Sequence, residues 1–294
     1  MNYIPAKTII SGYAEQNSWF GCNYNMNIYK GCCHGCIYCD SRSECYGVEN
    51  FDEVRAKENA LETIGRELRS KRRKGVIGTG AMSDPYNPFE KELRLTGGAL
   101  ELIDRYGFGV AIATKSDLIV RDINILKDIS KHSPVLLKLT VTAGDDALCR
   151  KIEPSAPVSS KRFEAIEKLT EAGLFAGIIL MPVLPFIEDT EENILGIVRR
   201  AHECGARFIY PAFGVTLRQN QRDWFYDKLD EAFPGIKEKY ISAFGNAYEC
   251  SSPNHKELWK IFSCECERYG IIYKMDEIIR AYKKGYEDGQ LSLF

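Results

Sequence analysis

The chain has 294 residues, of which 45% are hydrophobic and 27% charged, values that exclude a disordered or low-complexity protein. Lys+Arg 39 against Asp+Glu 41 gives a formal net charge of −2, so no global field draws it to nucleic acid or an anionic membrane, and a polyanion would need a local patch. Met1-Asn2-Tyr3-Ile4-Pro5-Ala6-Lys7 lacks the basic and apolar regions of a signal peptide, and no run of about 18 apolar residues follows, so a cytoplasmic protein with no membrane contact is expected.

Short apolar runs alternate with amphipathic stretches, the pattern of repeated βα units around a parallel sheet. The first strand candidate is Tyr24-Asn25-Met26-Asn27-Ile28-Tyr29, ending at Gly31, and a helix is predicted from Asp52 to Lys71 with Val54, Leu61, Ile64 and Leu68 on one face. Gly75-Val76-Ile77-Gly78-Thr79-Gly80 pairs with a helix opening near Thr96 and closing at Gly107, where glycine suits the position after the last helical residue. Phe108 to Ala113 precedes a helix carrying Ile119, Ile123, Leu126 and Ile129, and Val135 to Val141 precedes one with Phe163, Ile166 and Leu169 that stops at Gly173. Gly177 to Met181 with a Thr190-capped helix ending at Gly205 makes a fifth unit, and Phe208-Ile209-Tyr210 begins the sixth. From about Gln219 the strand signal disappears into aromatic-rich helical stretches, including Asn254 to Tyr269 and Asp276 to Lys284. The expected architecture is an α/β barrel unit over 1–218 with a helical cap over 219–294 belonging to the same domain.

Eleven cysteines in a signal-free chain read as metal ligands or buried thiols rather than a disulfide framework, and five of them fall between residues 32 and 45. In Gly31-Cys32-Cys33-His34-Gly35-Cys36-Ile37-Tyr38-Cys39-Asp40, the set Cys33, Cys36 and Cys39 opens like a ferredoxin run, yet Ser43 and Glu44 stand where its fourth cysteine and proline belong. The set Cys32, Cys36 and Cys39 gives C-x₃-C-x₂-C with an aromatic before the last cysteine. That pattern resembles the radical S-adenosylmethionine (SAM) superfamily. Three thiolates on a [4Fe–4S] cluster leave one iron open, which is what a catalytic metal requires. The zinc alternative would use Cys33, Cys36 and Cys39 with His34 or Cys45.

The resemblance implies a partial (β/α)₆ TIM-like barrel whose cluster loop follows the first strand at the C-terminal face. It also implies that the amine and carboxylate of SAM fill the open iron site, and that an electron splits the sulfonium to a 5′-deoxyadenosyl radical. Asn27-Ile28-Tyr29-Lys30-Gly31-Cys32, Gly80-Ala81-Met82-Ser83-Asp84-Pro85-Tyr86-Asn87-Pro88 and Lys151-Ile152-Glu153-Pro154-Ser155-Ala156-Pro157 resemble the spore photoproduct lyase-related branch, and within it the radical SAM mobile pair proteins. Carried over by position, Tyr38 contacts adenine, the Ser83-Asp84 turn lies near the SAM amine, Lys115 meets the SAM carboxylate, and Thr140 and Thr142 bond the ribose. Met181 could pack on adenine. Arg150 and Glu153 are expected to brace their loop through a surface ion pair. The photoproduct lyase uses a cysteine near the end of its second strand to return a hydrogen atom, whereas Gly80-Ala81-Met82-Ser83 holds no thiol. That lyase activity is therefore not expected; Cys149, after the fourth strand, reads first as a buried free thiol and second as a hydrogen donor in another reaction.

The leading expectation is a lyase-like radical SAM enzyme with an unidentified substrate, a flavodoxin- or ferredoxin-like reductant and room for a further protein partner. Its rivals are a nucleic-acid repair or modification enzyme and, outside catalysis, an iron–sulfur electron carrier or sensor. A nucleic-acid role would use the run Arg66, Arg69, Lys71, Arg72, Arg73 and Lys74 and the aromatics Trp224, Phe225, Tyr226 and Trp259. A second cluster on Cys250, Cys264 and Cys266 lacks a fourth ligand at standard spacing.

Overall fold

The computed structural model describes residues 1–13 and 19–286. Its main sheet has seven strands: β1 (Ile10–Gly12), β2 (Tyr24–Met26), β3 (Val76–Thr79), β4 (Gly109–Thr114), β5 (Val135–Thr140), β6 (Ala176–Leu180) and β7 (Ile209–Pro211). From β2 to β7 each strand pairs parallel with the next, and β1 adds an antiparallel edge beside β2. Helices cross over between the parallel strands, as parallel pairing demands. The two edge strands do not pair with each other, so the sheet is an open, partial (β/α)₆ barrel.

Both faces of this sheet are covered, which is why its strands are near-continuous apolar runs. On β5, Leu137 and Leu139 pack into the outer core with Phe163, Ile166 and Leu169, while Leu136 faces an inner cluster containing Phe20 and Phe208. The predicted helix stops hold, with Gly107, Gly173 and Gly205 at φ 67°, 82° and 71°, and Thr190 Oγ1 accepts from Asn193 N at 3.2 Å as the expected cap.

Three expectations change. The first strand breaks after Met26, and Tyr29–Lys30 instead joins a small sheet with Arg55–Lys57 and Asn2–Ile4. That pairing takes residues from the predicted helix, which runs only over Ala60–Ser70. The C-terminal stretch is not strand-free either: β8 (Gly214–Thr216) pairs antiparallel with β9 (Glu249–Ser251), a match too short to register as a pattern. After His255–Tyr269, the last helix, Met275–Lys283, returns to the N-terminal end of the barrel, where Tyr282 Oη donates to Phe20 O at 2.7 Å. The C-terminal segment thus roofs one end of the barrel and closes the other. No helix among the described residues is long and apolar enough to cross a membrane.

Candidate functional site

The C-terminal ends of the parallel strands open onto two adjoining cavities. The smaller, about 90 Å³, is lined by Cys32, Cys36 and Cys39 together with the Gly80–Asp84 turn, Lys115 and Thr140. The larger, about 500 Å³, runs from Tyr38, Lys115 and Met181 to the roof strands β8 and β9. Cys39, Ser41, Ala81 and Lys115 belong to both walls.

Two glycines make these loops possible. Gly31 sits at φ 82° with a would-be Cβ 2.4 Å from Glu53 O, and Gly80 at φ 93° with one 1.9 Å from Ala113 O. A side chain at either position would collide with backbone, so the cysteine loop and the turn after β3 could not approach their neighbours.

Burial pushes the Cys32 thiol up to about 12, the Asp84 charge adds to this, and the backbone N–H groups of His34 and Asp84 act against it. Burial likewise raises Cys39, opposed by the Lys115 charge and the Ser41 N–H. Such thiols stay protonated until a metal takes the proton's place, and N–H groups aimed at sulfur are what a ligated thiolate needs. Among the described residues no group of three His, Cys, Asp or Glu side chains is arranged to hold a metal ion, and Cys32, Cys36 and Cys39 line one wall of the smaller cavity. Cys33 is outside this wall.

Asp84 organises the turn. Its Oδ1 accepts from Tyr86 N at 2.8 Å and Thr114 Oγ1 at 2.6 Å, its Oδ2 accepts from Lys115 N at 2.8 Å, and His34 Nε2 lies 3.1 Å away. Burial pushes this carboxyl up, but His34 and the hydrogen bonds outweigh it and hold it at about 2. Both oxygens are thus engaged by groups of the loops around it. Ser83 is used similarly, its hydroxyl donating to Tyr29 O at 2.9 Å. Both residues line the smaller cavity, and in this structure both side chains also hold the turn.

Beneath the larger cavity lies a network that sequence reading missed. Glu153 is buried and pairs with Arg162 Nη2 at 2.5 Å and Lys115 Nζ at 3.8 Å, and it accepts from the Tyr38 hydroxyl. Arg162, also fully buried, donates further to Pro157 O at 2.7 Å and Thr140 O at 2.8 Å. Burial works against the Glu153 charge, and Arg162 and Lys115 overcome it, leaving the carboxyl below its ordinary value. Burial also works against Lys115, and the Cys36 and Glu153 charges keep its ammonium above the ordinary value. The brace expected of Glu153 is therefore real but buried, and its partner is Arg162 rather than Arg150. The signal was available: Arg162 interrupts an otherwise apolar helix face beside Phe163 and Ile166.

The remaining candidates separate. Thr140 lines the smaller cavity, while Thr142 lines neither, because β5 ends at Thr140 and alternation stops with it. Thr142 is buried, with its hydroxyl beside the buried Glu188 carboxyl. Cys149 also lines neither cavity and packs 3.5 Å from Arg162 Nη2. Cys250 borders the larger cavity, yet it is fully buried in the cluster around Phe225 and Tyr240. Cys266 belongs to the main core and Cys264 is exposed, so the three do not gather into a second site. Lys71 and Lys74 of the basic run lie over the rings of Tyr24 and Phe108, which flank the strand starts at the opposite end from the cysteines. Of the cap aromatics, Phe225 is fully buried and Trp224 is covered by Arg42 at 3.8 Å, so neither offers an open stacking face.

Residues 26–205 match the family model described as the radical SAM superfamily. An uncharacterised protein of Mycobacterium tuberculosis (strain ATCC 25618 / H37Rv) is 29% identical over 224 residues, 74% of this chain and 66% of that one. An uncharacterised protein of Methanocaldococcus jannaschii is 34% identical over 174 residues, 58% of this chain and 64% of that one. The chain thus spans just under two thirds of the length of these curated relatives. Among solved structures, spore photoproduct lyase complexed with dinucleoside spore photoproduct shares the fold, with a TM-score of 0.64 at 13% identity over 92% of this chain and 81% of that one. A radical S-adenosylmethionine methyltransferase from Kitasatospora setae gives a TM-score of 0.54 at 11% identity over 83% and 51%.

Proposed function

The chain belongs to the radical SAM superfamily, and on that premise we propose that it is an enzyme that binds a [4Fe–4S] cluster on Cys32, Cys36 and Cys39, cleaves SAM reductively and abstracts hydrogen from a substrate. What carries the reading is the gathering of these three cysteines around one cavity at the strand ends, beside a charged lysine and a pocket of about 500 Å³. Held by Cys32, Cys36 and Cys39, the cluster would supply an open coordination position for SAM and the electron for its reductive cleavage.

The chain's own residues bind and orient. Lys115, kept charged by Glu153, is the partner for the SAM carboxylate. The Tyr38 ring, fixed at its hydroxyl by Glu153, forms a wall for adenine. Thr140 is placed for a ribose hydroxyl, and the Ser83-Asp84 turn frames the amine through its backbone.

Anaerobic reconstitution with iron and sulfide should give about four irons per chain by the cluster's stoichiometry, and dithionite with SAM should release 5′-deoxyadenosine. Stoichiometric zinc without iron would refute the cluster. A cluster that reduces without cleaving SAM would favour the electron-carrier reading. Lyase chemistry on photoproducts is not part of the proposal, because the stretch Gly80-Ala81-Met82-Ser83 has no thiol. Dinucleotide spore photoproduct should not be converted to thymidines over multiple turnovers.

A further inference from the structure

A second opening reaches the cysteine loop from outside the barrel. A pocket of about 550 Å³ lies between the Asp117–Asp122 turn, the helix Ser159–Glu171 and the Pro154-Ser155-Ala156-Pro157 stretch, and His34 is in its lining. His34 also lines the small cavity that holds Cys32, so a single imidazole stands in the wall between them. It is 2% exposed, and its Nδ1 has no hydrogen-bond partner. The loop is fastened to the pocket wall by Ser155 N, which donates to His34 O at 3.0 Å.

The pocket's lining carries more cations than carboxylates. Lys91, Arg121, Lys161 and Lys168 line it against Asp117 and Glu164, a local cationic excess in a protein of net charge −2. Arg121 is committed to Glu90 and Asp122, and Lys161 pairs with Glu164 at 2.8 Å. Lys91 and Lys168 have no carboxylate partner among the described residues. Between the lysines the lining is apolar, with Leu118, Val120, Pro154 and Pro157, and Phe89 beside it is 40% exposed.

Building on the cluster reading above, we propose that this pocket is the docking site of an acidic one-electron donor protein. A donor seated here would have its redox group one side chain from the Cys32 cavity. The larger cavity, on another side of the cysteine loop, would stay free for SAM and substrate. A lysine rim around an apolar centre suits the small, charge-steered interfaces of electron-transfer partners. One electron leaves the donor, passes through the cluster to the sulfonium and breaks its C5′–S bond to give methionine and the adenosyl radical, with no proton transferred.

The test compares two reductants on the reconstituted full chain. In the variant K91E/K161E/K168E, dithionite-driven SAM cleavage should stay within about twofold of the unmodified chain. Cluster bleaching by reduced flavodoxin, an acidic probe, should slow by about tenfold or more, with a parallel loss of labelled-flavodoxin affinity and a flattened salt dependence. The milder K91Q/K161Q/K168Q should fall between the two. Unchanged flavodoxin kinetics, equal losses with both reductants, or flavodoxin unable to reduce the unmodified chain would each overturn the docking site. Absence of dithionite-driven cleavage by the unmodified chain would overturn the proposed reaction, and the docking site with it.

Discussion

Lys115, one residue beyond β4 and partly buried, and Lys138, buried within the neighbouring β5, are treated in opposite ways by their surroundings. Lys115 sits at the mouth, where Glu153 lies 3.8 Å away and the cysteines surround it, so its ammonium is held charged despite burial. Lys138 sits deeper, 3% exposed, with its Nζ 4.4 Å from the Phe20 ring and no carboxylate partner among the described residues. Burial pushes it down to about 8, opposed by Cys22. One end of this barrel is built to hold charge and the other disfavours it, a contrast set by the partners that each lysine finds.

The largest effects should fall on the mouth. Changing Cys32, Cys36 or Cys39 to Ala should abolish the visible absorbance of the reconstituted cluster, whereas C33A should retain it. Next, Glu153→Gln leaves buried Arg162 and Lys115 without their counter-charge and should cost about 3–5 kcal/mol in urea unfolding. The double variant E153Q/R162M should recover part of that loss, separating the stranded charge from lost packing.

Lys138 gives the converse case. Its folded pKa of about 8 lies below the ordinary lysine value of about 10.4, so between these pH values the unfolded chain binds more protons and stability rises with pH. The rise amounts to at most about 3 kcal/mol. Lys138→Met should therefore be the more stable protein below pH 8, and its advantage should shrink toward pH 10 in paired urea titrations. An advantage that does not depend on pH would mean that Lys138 keeps its ordinary proton affinity in the folded protein and would overturn the burial argument. The smallest effect is on binding: Lys115→Ala should weaken SAM by about 1.5–3 kcal/mol, about tenfold to a hundredfold, in equilibrium titration. Unchanged affinity would remove Lys115 from the carboxylate and erase the functional half of the comparison.

How much was legible follows the range of each interaction. The six βα units, their glycine stops and the Thr190 cap were readable because each is set within a few residues. The three-residue pairings Asn2–Ile4 with Arg55–Lys57 and β8 with β9 were not, since each strand exists only because a distant partner supplies its hydrogen bonds. The cysteine spacing carried the family and the position of the cluster loop on the barrel. The hydrogen bonds that Ser83 and Asp84 make within their own turn were not legible, because a polar residue at a strand end looks the same in sequence whether it faces a ligand or its own backbone.

By itself, then, the sequence determined the barrel class, the three-cysteine loop and the face on which it sits, all consequences of local periodicity and spacing. Only the tertiary structure decided that Asp84 accepts from Thr114 and Lys115, that Glu153 answers to Arg162, and that His34 stands between the cysteine cavity and an outer cationic pocket. Those facts depend on which charges and donors meet across more than a few residues of chain, and in a buried site the partner, rather than the residue type, sets both the charge and the role.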